Sequence, residues 1–163
     1  DYGIYGLQAA LYLSGEMPTR LSASTFRPEG DPRFAEIFAH VAVQMHFPSG
    51  AVAQIVTSYD SAGINVVEAR GTQGALRMHP ATGYLGNTLT LENGNERRKL
   101  EPGDSEVQFG AMLDHLAAAV RDGTPVLTPG EMGLRDLRLM EAIYASAASG
   151  RTVALNPDAT MLG

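Results

Sequence analysis

Asp1 and Tyr5 are the residues whose types and spacing most directly suggest chemistry. They open a stretch, residues 1–15 (DYGIYGLQAALYLSG), in which Ile4, Leu7 and Leu11 recur at intervals of three and four, the pattern of a helix with one buried stripe. Asp1, Tyr5, Gln8 and Tyr12 recur in the same way on another face. There a carboxylate and a phenol stand one helical turn apart and point the same way, so both can reach one bound molecule. Two readings fit that geometry, a catalytic pair and a polar helix edge. Spacing alone favours the edge, because tyrosine commonly flanks an apolar stripe.

Other chemistries find less support. His40 and His46 share a strand face but lie six residues apart, roughly 20 Å at strand rise, too far to ligate one ion, and His79 and His115 have no local partner. No metal site is therefore expected. With no cysteine in 163 residues, disulfides, thiolate metal sites and a cysteine nucleophile are excluded. There is no Gly-x-Ser-x-Gly elbow, no Gly-x-Gly-x-x-Gly fingerprint and no Gly-Lys-Ser/Thr phosphate loop; Gly3 and Gly6 fall inside the helix, and Gly83 and Gly86 between strands. Twelve basic residues against 18 acidic ones give a net charge of −6, which leaves no footprint for nucleic acid or an anionic membrane surface. Only Arg97, Arg98 and Lys99 cluster, as an exposed strand edge. No apolar run approaches membrane-spanning length and no signal peptide is visible, so a cytoplasmic location is expected. A chain that opens on Asp1 without an initiator methionine reads as a piece of a longer one.

At 163 residues, 44% apolar and 18% charged, the chain has the size and make-up of one globular domain. After the opening helix, residues 19–26 alternate as a strand. In residues 36–47 Ala39, Val41, Val43, Met45 and Phe47 form a core face, with Phe38, His40, Ala42, Gln44 and His46 opposite. Pro48, Ser49 and Gly50 turn the chain into a second strand, 51–60, making a hairpin. Further strands follow at 64–71, 75–79, 88–92 and 96–100, the last two around Asn93, Gly94 and Asn95. The period then changes. Ser105 and Gln108 read as a capping box opening a helix with the stripe Phe109, Met112, Leu113, Leu116 and Val120. Thr128, Pro129 and Glu131 open a second helix with the stripe Leu134, Leu137, Met140, Tyr144 and Ala147, ending at Gly150. A short strand at 152–155 and a tail, 156–163, complete the chain. The class is α+β: a mainly antiparallel (mixed) open sheet with helices on one face. The other face, carrying Phe38, His40, Gln44, His46, Val52, Gln54, Val56 and Ser58, is too apolar to be simply solvated, and self-association through it is expected.

Four segments in this order and spacing carry a resemblance: DYGIYGLQAALYLSGEMP, VQMHFPSGAVAQIVTSYD, RGTQGALRM and GLRDLRLMEAIYASAASGRTVAL. From Asp1 to about Leu155 the chain resembles the C-terminal, substrate-binding and oligomerisation domain of the glucose-fructose oxidoreductase, inositol dehydrogenase and rhizopine-catabolism (Gfo/Idh/MocA) oxidoreductases. The resemblance implies a preceding Rossmann domain that binds NAD or NADP and is absent from this chain. It also implies a catalytic centre joining a lysine of that domain to an aspartate, matched by Asp1, and to an aromatic residue four positions on, matched by Tyr5. A tyrosine there resembles the glucose-fructose oxidoreductase, xylose dehydrogenase and dihydrodiol dehydrogenase branch; the inositol dehydrogenases carry a histidine.

Those residue types suit the implied reaction, oxidation of the CH–OH group of a sugar, polyol or related diol. Moving hydride between a carbinol carbon and a nicotinamide requires a group that exchanges the hydroxyl proton. A phenol ionising near pH ~10 needs a neighbouring cation to do so at neutral pH, which the lysine would supply, while Asp1 would hold the substrate hydroxyl. On this reading the isolated chain is inactive, and its partners are a small sugar or polyol and further copies of itself. Two alternatives stand beside it: a non-catalytic binding or dimerisation module of the same fold, and a cofactor-assisted glycoside hydrolase.

Overall fold

A computed structural model describes residues 2–101 and 103–162, apart from the side chain of Ser105. Its elements, in chain order, are α1 (Gly3–Ser14), β1 (Arg20–Phe26), β2 (His40–His46), β3 (Val52–Ser58), β4 (Val67–Gly71), β5 (Gly74–Met78), β6 (Leu89–Asn93), β7 (Glu96–Leu100), α2 (Gln108–Asp122), α3 (Gly130–Ser149) and β8 (Val153–Ala154). The class is α+β with open antiparallel sheets, as the sequence predicts. The strands divide between two four-stranded sheets, β3-β2-β1-β8 and β4-β5-β6-β7, instead of joining one. The chain packs as two compact units: residues 1–63 with 130–163, and residues 64–129.

In the first unit the β1–β2–β3 register follows from alternation. Ala23, Val43 and Ile55 stand side by side, as do Leu21, Met45 and Ala53. On that face Leu7 and Leu11 of α1 and Leu139, Ala142 and Ile143 of α3 join Leu21, Val43 and Met45 in one core, closed by Leu155 and Ala159. Each fully buried leucine or methionine contributes about 1.5–3 kcal/mol, so these side chains anchor both helices. α1 ends where Gly15, in the left-handed region (φ 66°), returns its N–H to Leu11 at 2.9 Å. Its approach to β3 depends on Gly6, where a Cβ would stand 2.7 Å from Ile55 Cγ2. Gly3 faces Thr57 more loosely, at 3.4 Å. Residues 156–162, expected as a tail, fold back: Ala159 is buried, Leu162 N–H bonds to Ala154 O at 2.9 Å, and Leu155 bridges Met161.

α3 buries a different stripe from the one expected. Asp136, Leu139, Ala142, Ile143 and Ser146 face inward, while Leu134, Leu137 and Tyr144 are about half exposed. The expected stripe followed the largest apolar side chains. The observed one accommodates two polar residues because both have partners. Ser146 Oγ accepts the Ala23 N–H at 3.0 Å and donates to Arg151 O at 2.7 Å, tying α3 to β1. Phe38 also departs from expectation. It precedes the first ladder residue of β2, and instead of joining the open face it packs on the helix side against Tyr144, ring centroids 6.0 Å apart.

The second unit is a four-stranded meander followed by α2. Gly74, at φ 152°, sits where a Cβ would approach Glu92 O to 2.4 Å, so only glycine fits beside β6. Asn65 Oδ1 accepts the N–H groups of Ala81 and Thr82 at 3.0 and 2.9 Å, holding the β5–β6 connection. Arg97, Arg98 and Lys99 lie on β7, an edge strand, and are exposed as expected. α2 begins at Gln108 after a 3-10 turn over Ser105–Val107, with no side-chain cap at Val107. The Ser105 half of the expected capping box lies outside the described residues, and Gln108 is the first residue of α2 rather than its third. The α2 stripe expected to be core is exposed, from 51% at Leu116 to 80% at Val120.

Candidate active-site helix

The helix carrying Tyr5 forms as the spacing predicts, with Leu7 and Leu11 buried on the sheet. Tyr5 projects from the opposite side and is 49% exposed, a phenol free to meet a ligand while its helix is held by the core. Tyr12, two turns on, is 88% exposed. Asp1 lies outside the described residues, so of the expected catalytic pair the structure places Tyr5.

Gln8, on the same helix face, turns toward α3 and meets a group the sequence reading passed over. Its Nε2 donates to Asp136 Oδ2, and its Oε1 accepts from Arg135 Nη2 at 3.5 Å. Arg135 in turn grips Asp136 Oδ1 through Nε at 2.9 Å and Nη2 at 2.7 Å. The Asp136 side chain is 3% exposed and that of Arg135 27%, so the carboxylate is sealed in and the guanidinium reaches water. A signal for this cluster exists in the sequence: Asp136 lies three residues before Leu139 and seven before Ile143, on one helical stripe with both. An acid on a buried stripe implies a partner, and Arg135 is adjacent.

A cavity of about 350 Å³ opens beside the N-terminal end of α1, walled by Tyr2, Ile4, Phe38, Val41, Thr57 and Tyr144 among others. It is largely apolar, and Tyr5 is not part of its wall. Sugar hydroxyls require several convergent polar groups, so this cavity offers less to a polyol than the solvent-facing side of α1 does.

Each histidine has a structural partner. His40 stacks on Phe26 with ring centroids 5.6 Å apart, and His46 Nε2 lies 2.9 Å from Gln44 Nε2. His79 Nδ1 is 2.9 Å from Asn65 O, and His115 Nε2 accepts the Leu127 N–H at 3.0 Å. Among the described residues no three His, Asp or Glu side chains converge as metal ligands. None of the described helices is long and apolar enough to cross a membrane.

The open face of the first sheet is as the alternation predicts. His40 pairs with Ser58, Ala42 with Val56, Gln44 with Gln54 and His46 with Val52 across β2 and β3. Val52 and Val56 are 51% and 78% exposed there.

Comparison with known proteins agrees with this architecture. The family model described as "Oxidoreductase family, C-terminal alpha/beta domain" matches residues 1–155. D-xylose 1-dehydrogenase (NADP(+)) 2 of Haloferax volcanii is 26% identical over 161 residues, covering 96% of this chain and 47% of that protein. D-apiose dehydrogenase of Paraburkholderia graminis is 27% identical over 173 residues, covering 95% of this chain and 44% of that protein. Among solved structures, aldose-aldose oxidoreductase from Caulobacter crescentus, complexed with glycerol, superposes with a TM-score of 0.86 at 39% identity, covering 94% of this chain and 46% of that one. The chain thus spans about half the length of the curated relatives it matches. With the family model matching residues 1–155 of its 163, the chain belongs to the Gfo/Idh/MocA oxidoreductase family, as its C-terminal alpha/beta domain.

Proposed function

We propose that this chain is the substrate-binding half of an NAD(P)-dependent oxidoreductase acting on the CH–OH group of a sugar, polyol or related diol, with Tyr5 as the proton carrier and Asp1 as the group that holds the substrate hydroxyl. The observation that carries the reading is a half-exposed phenol on a helix whose opposite face is locked to the core by Leu7 and Leu11. The family, and relatives named as xylose and apiose dehydrogenases, support the substrate class. The sequence has no Gly-x-Gly-x-x-Gly fingerprint, and Gly3 and Gly6 both lie inside α1, which supports a cofactor site outside these residues. Cofactor binding is accordingly assigned to an N-terminal half, where the nicotinamide takes or returns hydride. The residues of this chain position the substrate and move its hydroxyl proton at the Tyr5 oxygen.

The test is Tyr5→Phe in the full-length protein, assayed by nicotinamide absorbance with a panel of aldoses and polyols. The ring remains, so stability changes by about 1 kcal/mol or less at this half-exposed site. Turnover falls about 100-fold to 10,000-fold with cofactor affinity unchanged, the range for a lost general acid or base. Near wild-type turnover would reduce Tyr5 to a helix-edge residue. The isolated chain is expected to show no submillimolar affinity for NAD or NADP by calorimetry.

The same reading includes a homo-oligomer formed through the open sheet face, supported by the exposed Val52 and Val56 beside Gln44 and Gln54. Light scattering after size exclusion should report a dimer or tetramer, and Val56→Arg should shift it toward monomer by placing an unpaired charge in the interface. A monomer at high concentration in the unsubstituted protein would remove this part of the reading.

A further inference from the structure

We infer that Gln8, clamped by Asp136 and Arg135, is a positioning residue for Tyr5: it sets the rotation of α1 and thereby the direction in which the phenol points. This deepens the proposed function and rests on Tyr5 being the proton carrier.

α1 is held by contacts of two kinds, apolar and directional. Toward β3 it presents Gly6 and Gly3, whose missing side chains allow close approach to Ile55 and Thr57. A surface without Cβ atoms fixes distance but provides no projection to interlock with the strand, so it resists rotation poorly. Leu7 and Leu11 hold the helix down through apolar contact, which is non-directional. The directional restraint on the α3 side is Gln8. Its carboxamide donates to a buried carboxylate and accepts from a guanidinium, so both ends of one planar group are fixed at once. Tyr5 is one turn N-terminal to Gln8 on the same side of α1, so a rotation released at Gln8 swings Tyr5 by the same angle. The buried pair also has a cost that points the same way. A sealed carboxylate is a poor source of net stability compared with an apolar residue of the same size, and its attested use is to specify one arrangement among several.

The experiment uses the full-length protein and a cycle of Gln8→Met and Tyr5→Phe, with kcat, KM and cofactor affinity measured for each. Methionine keeps the length and packing of glutamine and removes both hydrogen bonds. Gln8→Met should lower kcat about 10-fold to 100-fold, as expected for a catalytic group displaced by ~1 Å, with KM and cofactor affinity within about twofold of wild type. In the Tyr5→Phe background the same change should cost less than about twofold more, because there is no phenolic proton left to misplace. Asp136→Asn, whose side-chain oxygen can still accept from Gln8, should retain most of the activity that Asp136→Ala loses. If Gln8→Met folds poorly because Asp136 Oδ2 loses its donor, Gln8→Met with Asp136→Leu removes both polar partners together, and its kcat should remain low while its stability recovers.

The outcomes separate the two ideas. A Tyr5→Phe enzyme at wild-type turnover would overturn the proton-carrier reading and the positioning role that rests on it. An impaired Tyr5→Phe beside Gln8→Met at wild-type kcat, losses that multiply in the double variant, or full kcat in Gln8→Met with Asp136→Leu would overturn the positioning role alone.

Discussion

The two units use their apolar residues in opposite ways. Among the described residues every buried apolar side chain except Ala119 belongs to the unit formed by residues 1–63 and 130–163. In that unit the helices satisfy their stripes at home: α1 through Leu7 and Leu11, α3 through Leu139, Ala142 and Ile143. In residues 64–129 the pattern is as regular and the outcome is reversed. Phe109, Met112, Leu113, Leu116 and Val120 recur at helical spacing and are all more than half exposed; Phe109 meets Tyr84 at 5.5 Å. An amphipathic period states that one face of a helix avoids water. What shields that face is a separate matter, settled by topology, and among its described residues the second unit contains no layer of the kind that α1, α3 and the first sheet make together.

The contrast can be broken or sharpened by substitution, and the largest effect is expected in the first core. Leu139 is fully buried, and Leu139→Ala should destabilise that unit by about 2–5 kcal/mol, read as a shift in the denaturation midpoint. Gly6→Val comes next: its side chain would collide with Ile55, at a cost of about 1–3 kcal/mol, and a simultaneous Ile55→Ala should recover part of the loss. If Gly6→Val is neutral, α1 does not sit on β3 as closely as described. Leu113→Ala, on the exposed stripe of α2, should change stability by no more than about 0.5 kcal/mol. A loss there equal to that of Leu139→Ala would show that the α2 stripe is buried in solution.

The smallest effect concerns the turn that closes the first unit. The Asp158 carboxyl is held below its ordinary range, first by the Thr160 hydroxyl and then by the Thr160 N–H, with Arg138 adding a weaker pull. A lowered folded-state value means that the carboxylate stabilises the fold above its unfolded pKa, and that this contribution fades as pH falls through the folded one. Asp158→Asn should therefore lower the melting temperature slightly at neutral pH, and the difference from wild type should shrink progressively below about pH 4. A difference independent of pH would assign the effect to packing.

What was legible in the sequence follows from how local each signal is. The β2–β3 hairpin could be read residue by residue, because a period of two admits only two faces and one of them held Val43, Met45 and Phe47. Tyr5 was legible as a residue off the Leu7–Leu11 stripe of α1, because that stripe alone is buried. The inward face of α3 was misjudged because Asp136 and Ser146 look like surface residues until their partners, Gln8 and Ala23, arrive from more than a hundred residues away. The division of the strands into two sheets was hidden for a related reason. Short turns announce which strands are antiparallel neighbours, but the break between β3 and β4 is an absence of pairing, and no residue type marks it.

That division bears on biosynthesis. The first unit is discontinuous, so a ribosome releases α1 and β1–β3 well before it makes α3, which supplies Leu139, Ala142 and Ile143 to the same core. Residues 64–129 intervene, and at about 5–20 residues per second the nascent sheet waits several seconds with Leu21, Val43 and Met45 only partly covered. Over the same interval the β4–β7 meander, whose strands pair with sequence neighbours alone, can form as it emerges. Residues 64–129 are thus free to fold ahead of residues 1–63, which emerge before them, and the first sheet is a surface that a nascent-chain chaperone has several seconds to engage.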